Sequence, residues 1–250
     1  MDLRSSFHRP LRLADLLRDP FADVVRRWPR YRTVLPMLLP GTLAAFTASY
    51  ALPANRTELA DLRRIDLLLI VTGMLGAFTA QNIATYQICH IAAETAGDPA
   101  PASGALVGPA FRRCLTLTVV AALQILLLVA SAVALVVPAF FVAPMLAAAI
   151  PACVLEHAGP IESLRRSRSL SEGRRTPCLL APAALVLLAL SPLEWPLQAL
   201  SAPAWTVITF RVLVNSALHL VFTVQAAQLW CGLRFEKGEY TEGSLAHVFD

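Results

Sequence analysis

Five long stretches of the chain contain no aspartate, glutamate, lysine or arginine, and they constrain the fold more than any other feature. They are residues 33–55, 67–93, 114–155, 176–193 and 212–233. A helix needs roughly 20 apolar residues to cross a hydrocarbon layer about 30 Å thick. Four of the stretches suit one crossing each, so the pattern predicts an all-α, polytopic membrane protein.

The third stretch is too long for one crossing. Its 42 residues would form a helix of roughly 63 Å at about 1.5 Å per residue, twice the thickness of the hydrocarbon layer. Pro138 and Pro144 can break such a helix, because proline lacks the backbone donor and clashes with the preceding turn. We therefore predict two crossings joined by a tight apolar bend at residues 139–142, and six transmembrane helices in all.

Basic residues are distributed unevenly among the segments between these helices. Of the 21 lysine and arginine residues, 17 fall on one side of the predicted membrane, and only Arg56, Arg63, Arg64 and Arg211 fall on the other. Cytoplasmic loops carry the excess of basic residues, so both ends are predicted to lie in the cytoplasm, with the chain in a bacterial inner membrane. Arginine-ended segments before each pair of helices also suggest three helical hairpins.

The predicted organisation has three parts. Residues 1–32 form a cytoplasmic segment on the membrane surface, residues 33–233 form the membrane domain, and residues 234–250 form a cytoplasmic tail. The first part alternates apolar and charged residues at the spacing of amphipathic helices. Since the residue before a proline disfavours helix, Asp19-Pro20 predicts a division into two short helices.

The connector between the fourth and fifth helices, residues 156–175, is strongly basic. It carries Arg165, Arg166, Arg168, Arg174 and Arg175. An arginine near a membrane surface attracts anionic headgroups by about 1 kcal/mol, so these residues are candidates for binding a lipid headgroup or an acidic partner. The alternative is that they only set the topology and pair with Glu156 and Glu162.

Polar residues recur within the second and sixth predicted helices. They are Asn82, Tyr86 and His90 on the second helix, and Asn215, His219 and Gln225 on the sixth. Polar groups inside membranes most often join helices through hydrogen bonds worth roughly 1 kcal/mol each. The alternative is a path for a substrate or for protons.

The sequence lacks the residue patterns that several kinds of functional site require. The five cysteines have no C-x-x-C spacing and the five histidines lie far apart, so we predict no disulfide framework, metal or cofactor. No phosphate-binding or dinucleotide-binding glycine motif is present. The net charge of +4 lies beside the membrane, which does not favour nucleic-acid binding. An intramembrane enzyme would depend on Glu156, His157 or His219 as acid or base.

Three motifs occur in order along the chain. The first is Arg9-Pro10-Leu11-Arg12-Leu13-Ala14-Asp15-Leu16-Leu17, and the last is Leu229-Trp230-Cys231-Gly232-Leu233-Arg234. Between them, the connector carries Glu156, Gly159, Leu164, Arg166, Ser167 and Gly173. Together the motifs resemble the integral-membrane region of bacterial glycerophosphodiester phosphodiesterases and of related stand-alone membrane proteins, although Ala14 and Gly232 replace a usual glycine and aspartate.

The resemblance implies a membrane module rather than an enzyme. In the phosphodiesterases the chemistry belongs to a separate soluble barrel domain, which we expect this chain to lack. The first hypothesis is therefore a non-enzymatic membrane module that scaffolds or regulates a membrane-associated partner. The second is a protein that binds or transports a lipid or another amphiphilic small molecule. Expected partners are membrane lipids with anionic headgroups, and a protein partner or a second copy of the chain.

Overall fold

The computed structural model describes residues 13–51, 64–94, 103–134, 136–176, 178–180, 182–183 and 204–239. The regular elements in these ranges are helices, with no strand among them. They are α1 (Leu13–Arg26), α2 (Trp28–Tyr31), α3 (Leu35–Ala51), α4 (Arg64–Ala93), a 3₁₀ turn (Ser103–Leu106), α5 (Val107–Ala134), α6 (Val136–Leu146), α7 (Ala149–Leu155), α8 (Pro160–Ser171) and α9 (Ala204–Glu236). The predicted all-α fold is confirmed for this part of the chain.

Two helical segments among the described residues, Gly104–Ser131 and Thr206–Glu236, are long and apolar enough to cross a membrane. A shorter apolar segment covers Phe141–Leu155. Most of the predicted fifth helix lies outside the described residues, as do residues 1–12 and 240–250. The structure thus identifies two candidate crossings, and the topology with six helices stays a prediction.

Helix α9 lies at the centre of the described helices. It packs against α1, α3, α4, α7 and α8, while α4 also packs on α3 and α5. Large buried side chains fill these contacts, including Leu38 of α3, Ile88 of α4 and Trp230 of α9. Gly41 brings α3 close to α4, because a Cβ atom there would lie 3.0 Å from the Ala77 carbonyl oxygen. Close contacts between helices therefore organise the core around α4 and α9.

The long third apolar stretch folds back on itself. The side-chain amide of Gln124 in α5 donates to the carbonyl of Leu146 in α6 at 2.7 Å. Nearer the start of α5, Arg113 donates to the carbonyl of Cys153 in α7 at 3.5 Å. The earlier residue of α5 thus meets the later partner, so α5 runs antiparallel to α6 and α7. Helices α6 and α7 together, the α6–α7 arm, form a helical hairpin with α5.

The predicted bend at residues 139–142 is wrong, because these residues lie within α6. That helix begins at Val136, which places Pro138 in its first turn, where proline removes no helical hydrogen bond. The chain instead reverses between α5 and α6, and a separate break, within the α6–α7 arm, lies at residues 147–148. Pro151 accounts for it, since a proline ring clashes with the carbonyl four residues earlier and offers it no donor.

Neighbouring helices supply partners for the backbone groups at this break. Gln124 of α5 donates to the carbonyl of Leu146, the last residue of α6. The N–H of Ala148, which precedes α7, donates to the hydroxyl of Ser167 in α8 at 3.1 Å. Helix ends in an apolar interior need such partners, because water is excluded from them. Helices α5 and α8 therefore fix the position of the break.

Helix α1 continues through Pro20, so the predicted division at Asp19-Pro20 is wrong. A proline inside a helix leaves the carbonyl four residues earlier without its N–H, and here that carbonyl belongs to Leu16. The side-chain amide of Gln225 in α9 donates to the Leu16 carbonyl at 3.0 Å. Gln225 thus replaces the hydrogen bond that Pro20 removes, and α1 remains helical across the proline.

Replacing Gln225 with leucine should leave the Leu16 carbonyl without this donor and lower the free energy of unfolding by about 1–3 kcal/mol. In a Pro20→Ala background the helix supplies its own N–H, so the same replacement should cost much less. Thermal unfolding of both single variants and the double variant measures this coupling. Equal costs in the two backgrounds would show that Gln225 stabilises the protein through another contact.

Candidate functional site

Polar side chains of α4 and α9 form hydrogen bonds around His219. Its Nδ1 atom lies 3.4 Å from the side-chain nitrogen of Gln81, and its Nε2 atom lies 3.2 Å from the hydroxyl of Thr85. Thr85 donates its proton to the carbonyl of Gln81 at 2.9 Å, so its hydroxyl can only accept from His219. The arrangement fits a neutral imidazole protonated on Nε2, with both nitrogens used to join α4 and α9.

Further hydrogen bonds join other pairs of helices. Asn82 of α4 donates to the hydroxyl of Thr118 in α5 at 2.9 Å. The hydroxyls of Thr42 in α3 and Ser216 in α9 lie 2.8 Å apart. Hydroxyl residues such as these are common in helices of every kind, so the sequence alone gave no reason to select them. Asn82, His219 and Gln225 each bond to a second helix, as polar residues inside membrane proteins often do.

The other three predicted polar residues are placed differently. The rings of Tyr86 and His90 are neighbours on α4, with centroids 4.7 Å apart. Asn215 donates to the carbonyl of Arg211 within α9 at 2.9 Å. Neither the Tyr86–His90 pair nor Asn215 belongs to the contacts around His219. The six residues therefore do not form one continuous polar path through the described helices.

A cavity of about 510 Å³ lies beside the His219 contacts. Its described walls come from α4, α5, the α6–α7 arm, α9 and the segment that follows α8. Most of these wall residues are apolar, such as Leu117, Ile125 and Phe222, while Asn82 and His219 are among the polar ones. Cavities of this size, mainly apolar and with a few polar groups, are typical of sites for small molecules.

An ionic cluster, consisting of Glu156, Arg166, Arg234 and Glu239, joins the basic connector to the end of α9. Arg166 donates to the two carboxylate oxygens of Glu156 at 3.0 and 2.9 Å, and also to Glu239 at 2.9 Å. Arg234 lies 3.3 Å from Glu239 and 3.8 Å from Glu156. Two arginines thus share two carboxylates, and three of the four residues carry the family resemblance.

The five candidate headgroup-binding arginines divide into two groups. Arg166 belongs to the ionic cluster, and Arg174 pairs with Glu236 at 2.9 Å. Arg165, Arg168 and Arg175 are exposed and make no ion pair with a described residue. Three of the five arginines are therefore accessible to an anionic group, while two are engaged within the protein.

Other residues of the resemblance shape the connection between α7 and α8. Gly159 precedes α8, where its N–H faces the carboxylate of Glu162 at 3.4 Å. Gly173 follows α8 with a φ of 88°, a conformation that favours glycine. Ser167 is buried and accepts the N–H at the break before α7, and Leu164 packs against the core. These residues hold the connector in one shape, as the ionic cluster does.

A second network ties the N-terminal helices to α4. Buried Asp23 accepts a hydrogen bond from the hydroxyl of Tyr31 at 2.7 Å and pairs with Arg27 at 3.1 Å. Arg27 and Arg30 both pair with Glu94 at the end of α4. Burial raises the pKa of Asp23, although Tyr31 and Arg27 oppose that shift. Four members of this network lie between Asp23 and Tyr31, but Glu94 is more than 60 residues away, so no local pattern predicts the link to α4.

The ionic cluster shifts the acidity of its members. The hydrogen bond to Glu239 is the main cause that raises the pKa of Arg166. Burial raises the pKa of Glu239, but the hydrogen bonds and charges of Arg166 and Arg234 outweigh burial and hold that pKa below its ordinary value of 4.5. The ionised form of Glu239 is therefore the form that stabilises the folded protein.

Because the folded pKa of Glu239 lies below 4.5, its contribution to stability is present above that pH and is lost as the pH falls through the folded pKa. We expect Glu239→Gln to lower the free energy of unfolding by about 1 kcal/mol near pH 7 and by less near pH 3, because the contribution decreases as the pH falls below 4.5. Denaturant unfolding at the two pH values measures the difference. Glu172→Gln is the matched control, since Glu172 is exposed and makes no ion pair with a described residue. A loss that is independent of pH would contradict the assignment.

Among the described residues, no group of three or more histidine, cysteine, aspartate or glutamate side chains is placed to hold a metal ion. The five cysteines are free thiols. No protein-family model matches the chain, and no curated protein or solved structure shows significant similarity to it. The resemblance to the phosphodiesterase membrane region thus rests on the motifs alone, and the function must be inferred from the cavity and the ionic cluster.

Proposed function

We propose that the protein is a non-enzymatic integral membrane protein that binds a lipid or another amphiphilic small molecule in the cavity beside His219. The cavity carries this proposal, because it combines a volume of about 510 Å³ with a mainly apolar described wall and a few polar groups. An amphiphile has the same two properties, an apolar chain and a polar end. Binding sites for small molecules commonly show this combination.

Exposed apolar side chains support a location in the membrane. Leu75 of α4 is 65% exposed, and Leu115 and Val133 of α5 are 76% and 82% exposed. Such a surface is unfavourable in water and suits contact with lipid. We propose the six crossings and cytoplasmic ends that the apolar stretches and basic residues predict, with these side chains facing the hydrocarbon.

The exposed arginines support the second candidate function, which is scaffolding or regulation of a membrane-associated partner. Arg165 and Arg168 lie on the exposed side of α8, and Arg175 follows that helix. These three charges are suited to an anionic headgroup or to an acidic protein surface. The cavity favours the first function, since a scaffold has no need of an internal space between its helices.

Filling the cavity should displace its occupant. Ala226 of α9 lines the cavity, so Ala226→Phe should place a ring in that space and reduce lipid retained after purification by about tenfold or more. Ala217 lies on the exposed side of the same helix, and Ala217→Phe is the matched control, which should retain lipid normally. Native mass spectrometry of protein extracted in mild detergent measures the bound lipid. Equal retention by both variants, or none by the unsubstituted protein, would overturn the proposed function.

The orientation can be tested with reporters that are active on one side of the membrane only. We expect a fluorescent protein fused after Asp250 to fluoresce, because that end is predicted to be cytoplasmic. An alkaline phosphatase fused near Arg211 should be active, because it would be exported. The fluorescent protein fused near Arg211 should not fluoresce, and the phosphatase fused after Asp250 should be inactive. An active phosphatase after Asp250 would contradict an even number of crossings with the N-terminus inside.

A further inference from the structure

None of the described residues that line the cavity is an aspartate, glutamate, lysine or arginine. An ionised headgroup placed there would lose its hydration without gaining an opposite charge, which is strongly unfavourable in an apolar environment. The contacts of His219 also fit its neutral form, since one ring nitrogen accepts from Gln81 and the other donates to Thr85. The wall therefore favours an occupant that is uncharged where it meets these residues.

Asn82 shows which kind of hydrogen bond the wall can still make. It lines the cavity and is 9% exposed. Its side-chain nitrogen donates to the hydroxyl of Thr118 at 2.9 Å and to the sulfur of Cys114 at 3.6 Å. Thr118 donates its own proton to the Cys114 carbonyl at 2.9 Å, so it must accept from Asn82. The amide orientation is thereby fixed, with its N–H groups used and its oxygen left over.

Gln124, in the wall formed by α5, also has its side-chain oxygen left over, with one of its two N–H groups used. Its side-chain nitrogen donates at 2.7 Å to the carbonyl of Leu146, which can only accept. The side-chain oxygens of Asn82 and Gln124 accept no hydrogen bond from a described residue. Thr85 and Thr223 donate their hydroxyl protons to backbone carbonyls of their own helices. The described wall thus offers acceptors, while many of its donors are already used.

We propose that the cavity selects an uncharged amphiphile whose polar end carries a hydrogen-bond donor, such as the hydroxyl of a fatty alcohol or of an acylglycerol. The hydroxyl donates to the side-chain oxygen of Asn82 or Gln124, and the chain lies against the apolar wall. Anionic headgroups meet acceptors without a balancing charge, and quaternary ammonium groups have no proton to donate. This inference rests on the proposed function, because it names the class of ligand for the same cavity.

Three photoreactive probes with the same chain test the proposal: diazirine analogues of hexadecanol, of its methyl ether and of hexadecyl sulfate. The full-length protein in mild detergent is irradiated with each probe, and labelled peptides are identified by mass spectrometry. We expect the alcohol to label α4, α5 and α9 at the cavity about tenfold more than the ether, which lacks the donor. The sulfate should label the cavity least.

The outcomes separate the two proposals. Equal labelling by the alcohol and the ether overturns the donor requirement, and preferred labelling by the sulfate overturns the choice of an uncharged ligand. In both cases an amphiphile still occupies the cavity, so the proposed function stands. If no probe labels the cavity helices, both proposals fail. These comparisons use the unsubstituted protein and do not depend on the folding of any variant.

Two variants then locate the acceptor. Asn82→Leu removes the oxygen and should reduce the preference for the alcohol over the ether to about threefold or less if Gln124 keeps part of it. Thr118→Val is the matched control, because it breaks the same bond between α4 and α5 but leaves the Asn82 amide in the wall. It should keep the tenfold preference. An unchanged tenfold preference in Asn82→Leu would overturn the assignment of Asn82 as an acceptor.

Discussion

A backbone carbonyl or N–H that is buried without a partner is costly wherever water is excluded, and the described fold depends on how this cost is avoided. Pro20 deprives the Leu16 carbonyl of its helical partner, and Pro151 stops α7 from continuing α6. Gln225 of the distant helix α9 supplies the bond that Pro20 removes, and α5 and α8 supply partners for the backbone of Leu146 and Ala148 at the break. A proline in one helix therefore fixes the position of another, because the replacement bond forms only when the two helices are in register.

Helix α9 carries much of this arrangement along its length. Ser216 meets α3, His219 meets α4, Gln225 meets α1, and Arg234 belongs to the ionic cluster at the end of the connector. In lipid the hydrophobic effect does not favour the contact of one apolar helix with another, so hydrogen bonds and close packing select the neighbours. A helix with polar groups at several positions along its length can bond to several neighbouring helices, which explains the central place of α9.

The sequence predicts the helices well because their cause is local. Charge-free stretches longer than a helical crossing mark α3, α4, α5 and α9, and the excess length of residues 114–155 correctly predicts that this stretch folds back. The positions of the breaks were missed, because a proline in a first turn leaves a helix intact, as Pro138 does, and a proline inside α1 is tolerated once Gln225 supplies the missing bond. That compensation comes from a residue more than 200 positions away and leaves no local signal.

The candidate site was only partly predictable, because it too depends on contacts between residues that are distant in sequence. Asn82 and His219 were selected because amide and imidazole groups are rare in apolar helices, and both line the cavity. The sequence gives no reason to select Thr85 and Gln124, and it marks Ser167 only as a motif residue, since the importance of all three comes from which atoms face them in space. The ionic cluster was predictable in part. Glu156, Arg166 and Arg234 occur in motifs at two separate places in the chain, but only the fold brings them together and adds Glu239.

The hydrogen bonds that assemble the helices also limit what the cavity can do. A general base at His219 would have to give up the Gln81 contact at Nδ1, and a proton relay would also have to give up the Thr85 contact at Nε2, so each would weaken the bonds between α4 and α9. A binding site has no such conflict, because the groups that join the helices can stay joined while their remaining oxygens face a ligand. The proposed recognition of a ligand is thus compatible with the hydrogen bonds of the described helices, since one set of side chains holds the helices together and defines the chemistry of the space between them.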